Sequence, residues 1–390
     1  MIRFKRVTML CVAGLLGAAV CLAAALKSAL PVKAAADALS VDAESGLLMD
    51  AQSGTVVFEQ NARKRLPIAS MVKIMTLLIT FEEIENGKMN VDADIVASET
   101  AASMGGSQAF LDANAAYKTG ELIKSIIVAS ANDSCVAVAE AVCGSVSGFV
   151  DRMNEKAAAL ALADTRFVNC TGLPAPDQYS CAYDVGVMSR EMLKHPLFFD
   201  YSAIWMFDFK HPSGRVTALT NTNKLIRAYE GCDGGKTGFT NEAKYCLSAT
   251  AKRGATRLIS VVMGAESSKI RNAQNAKLFN YGFANYETRR LVENGVGSGA
   301  DHAVLRGKQA TVKGVPASDL SVFVKKNTPA ELSISEDVGE LTAPVAEGQV
   351  IGKLRVFLGG EPVGEADLIA ANAVGRLTYL DIVDGFIDKW

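Results

Sequence analysis

Ser70 and Lys73 stand three residues apart in LPIASMVKIMTLLIT, and two further groups of hydroxyl and nitrogen side chains follow, Ser130 with Asn132 and Lys236 with Thr237. A serine hydroxyl is a poor nucleophile until a base takes its proton. A lysine amine can be that base when burial or a second cation lowers its pKa. The chemistry these residues offer is therefore acyl transfer through a serine ester. The three histidines do not compete for the role of base. His195, ahead of Pro196, reads as the last residue of a helix, His211 falls in a turn with Pro212 and Gly214, and His302 is outside the motif region, so a Ser-His-Asp triad does not fit.

The elements that must position these side chains can be read around them. After Pro67 the apolar residues Ile68, Met71, Ile74, Met75 and Leu78 recur at helical spacing, which predicts a helix from near Ala69 to about Glu85 with Ser70 in its first turn. Positions i and i+3 share a face, so the Ser70 hydroxyl and the Lys73 amine come within reach of one another. A bare SxxK also fits an N-cap followed by a solvated lysine. Ser130-Ala131-Asn132 lies between the helical patterns Glu121 to Ala129 and Asp133 to Cys143, where serine and asparagine suit a turn. The alternative there is a plain cap on the second helix. Asp233 to Ala251 reads as a hairpin with GGKTGF on one arm and KYCLSAT on the other. Its edge would present Lys236 toward Lys73 and Ser130, and Thr237 toward a carboxylate. Gly238 would leave room for substrate along the backbone. A second KTG, Lys118-Thr119-Gly120, precedes a helix that Thr119 is placed to cap. A hairpin over Ser45 to Gln60, helices over 147–162, Asp184 to Lys194 and Ser267 to Tyr281, and a buried strand over Thr256 to Gly264 complete this part. Gly105 and Gly106 in MGGSQ permit a tight turn.

SxxK, SxN and KTG in this order are the three motifs of the serine acyl enzymes. With them the chain resembles the penicillin-binding proteins and serine β-lactamases. MGGSQAFL, IIVASANDSCVAVAE, TNTNKL, DGGKTGFTNEAKYCL and LTAPVAEGQVIGKLRV resemble, more narrowly, the low-molecular-mass D-alanyl-D-alanine carboxypeptidases, over roughly residues 38 to 370. The resemblance implies a mixed α/β transpeptidase-like domain and then a small all-β domain. It implies Ser70 as nucleophile, Lys73 as base and Ser130 as proton shuttle. Asn132, Lys236, Thr237 and Arg271 would hold substrate, and the N–H groups of Ser70 and Phe239 would stabilise the oxyanion. Arg271 also fits a surface position on an amphipathic helix. The substrate would be a peptidoglycan stem peptide, β-lactam antibiotics would be inhibitors, and no metal or organic cofactor is implied. Two departures bear on substrate placement. Thr222 occupies a place where some relatives have a second arginine, and Lys244 one where many have glycine. The rivals are a class A-like β-lactamase, whose ExxLN motif is missing between SxN and KTG, a D,D-endopeptidase acting on cross-links, and a catalytically silent wall-binding protein.

A chain of 390 residues, 49% of them hydrophobic, can build two cores, and a net charge of −2 speaks against nucleic acid as a partner. Arg3, Lys5 and Arg6 precede an apolar run from Val7 to Leu26, and Ala34-Ala35-Ala36 precedes Asp37, the pattern of a cleaved signal peptide and hence of export to the outer face of a bacterial membrane or the wall. An uncleaved anchor is the alternative. Of the cysteines left after cleavage, Cys170 and Cys181 flank a turn-rich segment and form the best candidate disulfide. The expected division is a leader 1–36, a catalytic domain 37–286, a β-rich domain 287–372 and a tail 373–390. In the tail Leu380, Val383, Ile387 and Trp390 share a helical face, which fits peripheral membrane contact or packing on protein.

Overall fold

The computed structural model describes residues 39–297, 300–327 and 331–381. The expected leader and the tail residues Val383, Ile387 and Trp390 lie outside the described residues. The chain begins with the strands β1 (Ser45–Asp50) and β2 (Val56–Gln60) of the expected first hairpin. Two short hairpins follow later, β3 (Asp94–Val96) with β4 (Ala116–Lys118), and β5 (Met206–Lys210) with β6 (Val216–Thr220). The KTG hairpin is β7 (Cys232–Thr240) and β8 (Lys244–Arg253), and β9 (Thr256–Ala265) comes next. These build an antiparallel sheet in the order β2-β1-β9-β8-β7, which leaves β7 at an edge.

Strand β1 is buried at every residue because both faces of the sheet are covered. Successive side chains alternate in direction, so Leu47 meets the helix Ala182–Met192, where a Cβ on Gly186 would lie 2.5 Å from it, while Leu48 meets the helix Ser268–Asn285 at Gly282, 3.0 Å from a Cβ there. The other helices stack on the first of these faces: Lys73–Glu85, Thr119–Ala129, Asn132–Cys143 and Val146–Ala159. Ile74, Leu77, Leu78, Ile123, Ile126 and Phe149 fill the space between them.

Several expectations change in detail. The helix expected over 147–162 ends at Ala159. Thr119 is the first helical residue rather than a cap; its hydroxyl donates to the Ala93 carbonyl, and Lys118 ends strand β4 in an ion pair with Asp94. Ala131, with no side-chain bond, holds the cap position of the Asn132 helix, because Ser130 and Asn132 turn their side chains elsewhere. His195 caps the start of the helix Pro196–Ser202 instead of ending the one before, and its Nδ1 lies 2.7 Å from Glu85 Oε1. Cys170 and Cys181 are free thiols, both buried, rather than a disulfide. Cys181 caps the helix that follows it, its sulfur accepting from the Asp184 N–H, and Cys170 is anchored by its carbonyl, which accepts from the Thr76 hydroxyl.

From Tyr286 to Ala370 the regular elements among the described residues are all strands. Strands β10 (Tyr286–Val292), β11 (Asp301–Leu305), β12 (Thr311–Pro316), β13 (Leu320–Lys325), β14 (Leu332–Val338), β15 (Leu341–Thr342), β16 (Val350–Leu358) and β17 (Glu361–Ala370) form a β10-β13 pair and a sheet in the order β14-β16-β17-β12-β11-β15. Val312, Leu354, Val356 and Leu368 centre a core of their own.

Candidate active site

Residues 69 to 72 form a tight 3-10 turn ahead of the regular helix, with Ala69 in the left-handed region at φ 47°. A side chain costs energy in that conformation, so the surroundings must impose it. They do so from two sides with glycines. A Cβ on Gly172 would lie 2.0 Å from the Ala69 carbonyl oxygen, and one on Gly238 would lie 2.7 Å from the Ile68 carbonyl oxygen and 3.3 Å from the Ser70 nitrogen. Gly238 also lines the cleft, as expected, and its missing side chain serves the backbone that carries Ser70 as well as the open side. A Gly238→Ala protein should therefore fold with β7 pushed off this turn and acylate about 100-fold more slowly, the scale of loss that a displacement near 1 Å brings. Stopped-flow acylation by a fluorescent penicillin reads this, and a rate within threefold of the parent contradicts it.

The Lys73 side chain is fully buried beneath Ser70. Its Nζ lies 3.1 Å from Ser70 Oγ and donates to Asn132 Oδ1 at 2.6 Å and to the Thr171 carbonyl oxygen. Burial pushes the Lys73 amine below its ordinary pKa, against the pull of the neighbouring Cys135 and Cys170 thiols and of Asp133. Lys236 on β7 is also buried; its ammonium donates to Ser130 Oγ at 2.9 Å and to its neighbour's carbonyl, Thr237 O, at 3.0 Å. Burial and then the repulsion of Lys73 hold the Lys236 pKa well below the usual lysine value. Ser130 adopts φ 65° between its two helices, and this left-handed turn aims its hydroxyl at Lys236.

Asn132 faces Lys73 with its oxygen and donates from Nδ2 to the Gly105 carbonyl at 2.7 Å. It thereby ties the MGGSQ turn to the base as well as offering its second amide hydrogen to a ligand. Thr237 Oγ1 donates to Thr222 Oγ1 at 2.7 Å. Phe239 is half exposed, its ring 4.4 Å from that of Tyr245. Arg271 is 5% exposed, sits in the second turn of its helix, and takes part in none of the ion pairs among the described residues. Ser70, Ser130, Thr237, Phe239 and Arg271 line one cleft of about 370 Å³, with Ser107, Thr222, Lys224, Tyr245 and Ser268. Every expected site residue is thus in this cleft or in direct contact with a residue that lines it.

Two comparisons decide what kind of cleft this is. Residues 32–267 match the family model described as D-alanyl-D-alanine carboxypeptidase, and residues 286–376 match that of the penicillin-binding protein 5 C-terminal domain. The chain belongs to the D-alanyl-D-alanine carboxypeptidase family. Among its relatives is the D-alanyl-D-alanine carboxypeptidase DacF of Bacillus subtilis, 36% identical over 357 residues, or 90% of this chain and 91% of that one. The carboxypeptidase DacC of Escherichia coli is 33% identical over 90% of this chain and 89% of its own. Penicillin-binding protein 5 from Haemophilus influenzae superposes with a TM-score of 0.69 at 32% identity, covering 87% of this chain and 99% of that one. The family is that expected from the motifs, and the mixed α/β domain followed by an all-β domain is the expected fold class.

Some contributors to the cleft were not singled out from sequence. Asp133 is fully buried, and its carboxylate accepts from the Ala109, Leu111 and Ser134 N–H groups. It fixes the loop after MGGSQ across from Ser130. Its position in the first turn of a helix is an ordinary one for an acid, so the sequence carried no distinct signal of its burial. The Thr171 carbonyl left no signal, because any residue supplies one.

Proposed function

We propose that this carboxypeptidase works through a serine ester on Ser70, formed with neutral Lys73 as the base. The observation that carries the reading is the set of partners around Lys73 Nζ. Two of them, Asn132 Oδ1 and Thr171 O, are carbonyl oxygens that can only accept, and the third, Ser70 Oγ, can also donate. A neutral amine has two N–H bonds and one lone pair. With both N–H bonds committed to the carbonyls, the lone pair is left for the Ser70 proton. Burial supplies the lowered pKa this needs.

In the reaction the Ser70 oxygen bonds to the carbonyl carbon of the penultimate D-alanine as its proton passes to Lys73. The developing oxyanion lies between the N–H groups of Ser70 and Phe239. Lys236 polarises Ser130, which passes its proton to the departing D-alanine nitrogen as the C–N bond breaks and takes in turn the proton that Lys73 received from Ser70, so that Lys73 is neutral again. Water then cleaves the ester and restores Ser70. Thr237 and Arg271 hold the terminal carboxylate. A buried guanidinium without a carboxylate beside it leaves a charge for the substrate to neutralise, and this favours a free chain end over a cross-link. The β-lactamase alternative is disfavoured because none of the described residues lining the cleft is a carboxylate that could activate the deacylating water.

The proposal extends to location and division. A chain acting on stem peptides works outside the cytoplasm, delivered by a leader over 1–36 that is removed before Asp37. Residues 37–286 carry the chemistry, 287–372 set its distance from the surface, and 373–390 make contact with it. Tyr379 and Leu380 are exposed, as a docking segment requires, while Asp381 pairs with Lys308. Exported protein supplies the test. Its mass should match a chain beginning near Asp37, and it should release free D-alanine from a pentapeptide at least tenfold faster than it cleaves a cross-linked dimer. A mass that retains Arg3 overturns the processing, and faster dimer cleavage overturns the carboxypeptidase preference.

A further inference from the structure

The segment Asn221 to Leu225 borders the cleft in a regular alternation. Asn221, Asn223 and Leu225 are buried, while Thr222 is half-buried and Lys224 exposed, and these two line the cleft. The buried members tie the backbone down. Asn221 donates from Nδ2 to the carbonyls of Ser202 and Ile204 and accepts from the Asn223 N–H. Asn223 donates to the Gly234 carbonyl on β7 and accepts from the Leu225 N–H. The segment is thus fastened to the strand that carries Lys236 and Thr237, and the side chains of Thr222 and Lys224 share the face toward the cleft.

Thr222 already contacts the proposed carboxylate-binding hydroxyl, through the Thr237 Oγ1 bond. Lys224 is the next side chain on that face. Its ammonium takes part in no ion pair or hydrogen bond among the described residues. Helix stability does not account for it, because a cation at the start of the short helix Leu225–Ala228 is at the unfavourable end of the helix dipole. The cations lining the cleft are Lys224 and Arg271, with no acid among the lining residues to offset them.

We propose that Lys224 is a second cation for the terminal carboxylate of the substrate, approaching from the solvent side while Arg271 holds it from the buried side. This rests on the carboxypeptidase reading above. In that arrangement Arg271 fixes the carboxylate in place, and Lys224 closes over it as a mobile, hydrated charge whose contribution is weakened by salt. Its effect belongs to binding shared by ground and transition states, so it acts on KM more than on kcat.

The test compares two peptides that differ only at the chain end, one ending in D-alanyl-D-alanine with its free carboxylate and the other with that carboxylate converted to the amide. Wild-type enzyme should release D-alanine from the acid; failure to do so would overturn the carboxypeptidase reading itself. In Lys224→Gln, kcat/KM on the acid should fall about five- to tenfold, mainly through KM, with little change on the amide. Lys224→Arg should restore at least half of the loss, and the wild-type advantage over Lys224→Gln should shrink as salt is raised from about 0.1 M to about 1 M, the range over which about 10 Å screening tightens to about 3 Å. Equal losses on acid and amide would mark a structural role and overturn the proposal. An unchanged acid rate in Lys224→Gln would overturn it as well, with the carboxypeptidase reading left standing.

Discussion

Lys73→Arg should abolish acylation, slowing it by about 10³-fold at pH 7, while the protein keeps its fold. Arginine stays protonated at any working pH, so it can fill donor positions toward Asn132 and Thr171 but has no lone pair for the Ser70 proton. In the parent the rate should rise with pH as Lys73 loses its proton, and because burial lowers that pKa the inflection should come below the usual lysine value near 10.5. The sign follows from the base being the neutral form: protons added below the inflection switch it off. The arginine variant should lack this rise. Stopped-flow acylation across pH, with circular dichroism to check the fold, measures both. An arginine variant that acylates at near parental rate removes Lys73 from the mechanism.

The fate of the penicilloyl ester is the second large effect. Penicillin carries a carboxylate and a strained amide in the place of the D-alanyl-D-alanine end, so it should acylate Ser70. Its leaving group stays tethered through the ring and blocks the approach of water. With no carboxylate among the described residues that line the cleft to activate that water, the adduct should outlast a single peptide turnover by at least about 100-fold, the low end of what a positioned base contributes. Intact-protein mass over time after mixing with penicillin follows it, and Ser70→Ala should show no adduct at all. A quick return to the unmodified mass with steady loss of the drug would favour the β-lactamase.

The motifs were legible because the chemistry demands particular side chains at short spacing. Ser70 and Lys73 follow from one helical turn, and Lys236 and Thr237 from one strand. The all-β segment was legible from alternation and turn residues. The parts that were not legible involve groups without identity in sequence or partners far along the chain. The Thr171 carbonyl reaches Lys73 across 98 residues and could belong to any amino acid. Asp133 looks like an ordinary first-turn acid, and its donors at Ala109 and Leu111 lie 24 and 22 residues earlier. The disulfide expectation failed for a related reason. Spacing brings Cys170 and Cys181 near in sequence, yet the Cys181 sulfur caps its own helix and the Cys170 backbone is fastened by Thr76, 94 residues earlier. Gly238 was read for the cleft it lines but not for the backbone of Ile68 and Ser70 behind it, since a glycine does not record which neighbour comes close.

That neighbour has a bearing on drug escape. A target under β-lactam pressure can respond by narrowing its cleft with a larger side chain, provided some wall position tolerates one. Here the wall beside Ser70 is main chain against main chain, with Gly172 and Gly238 meeting the turn at distances no Cβ can occupy. Substitution at either glycine would remove the peptide reaction together with the drug reaction. Selection for resistance in this enzyme should therefore leave both glycines untouched and fall on the rim, at Phe239, whose side chain is half exposed and where a change in shape can distinguish a bulky ring from a slender peptide.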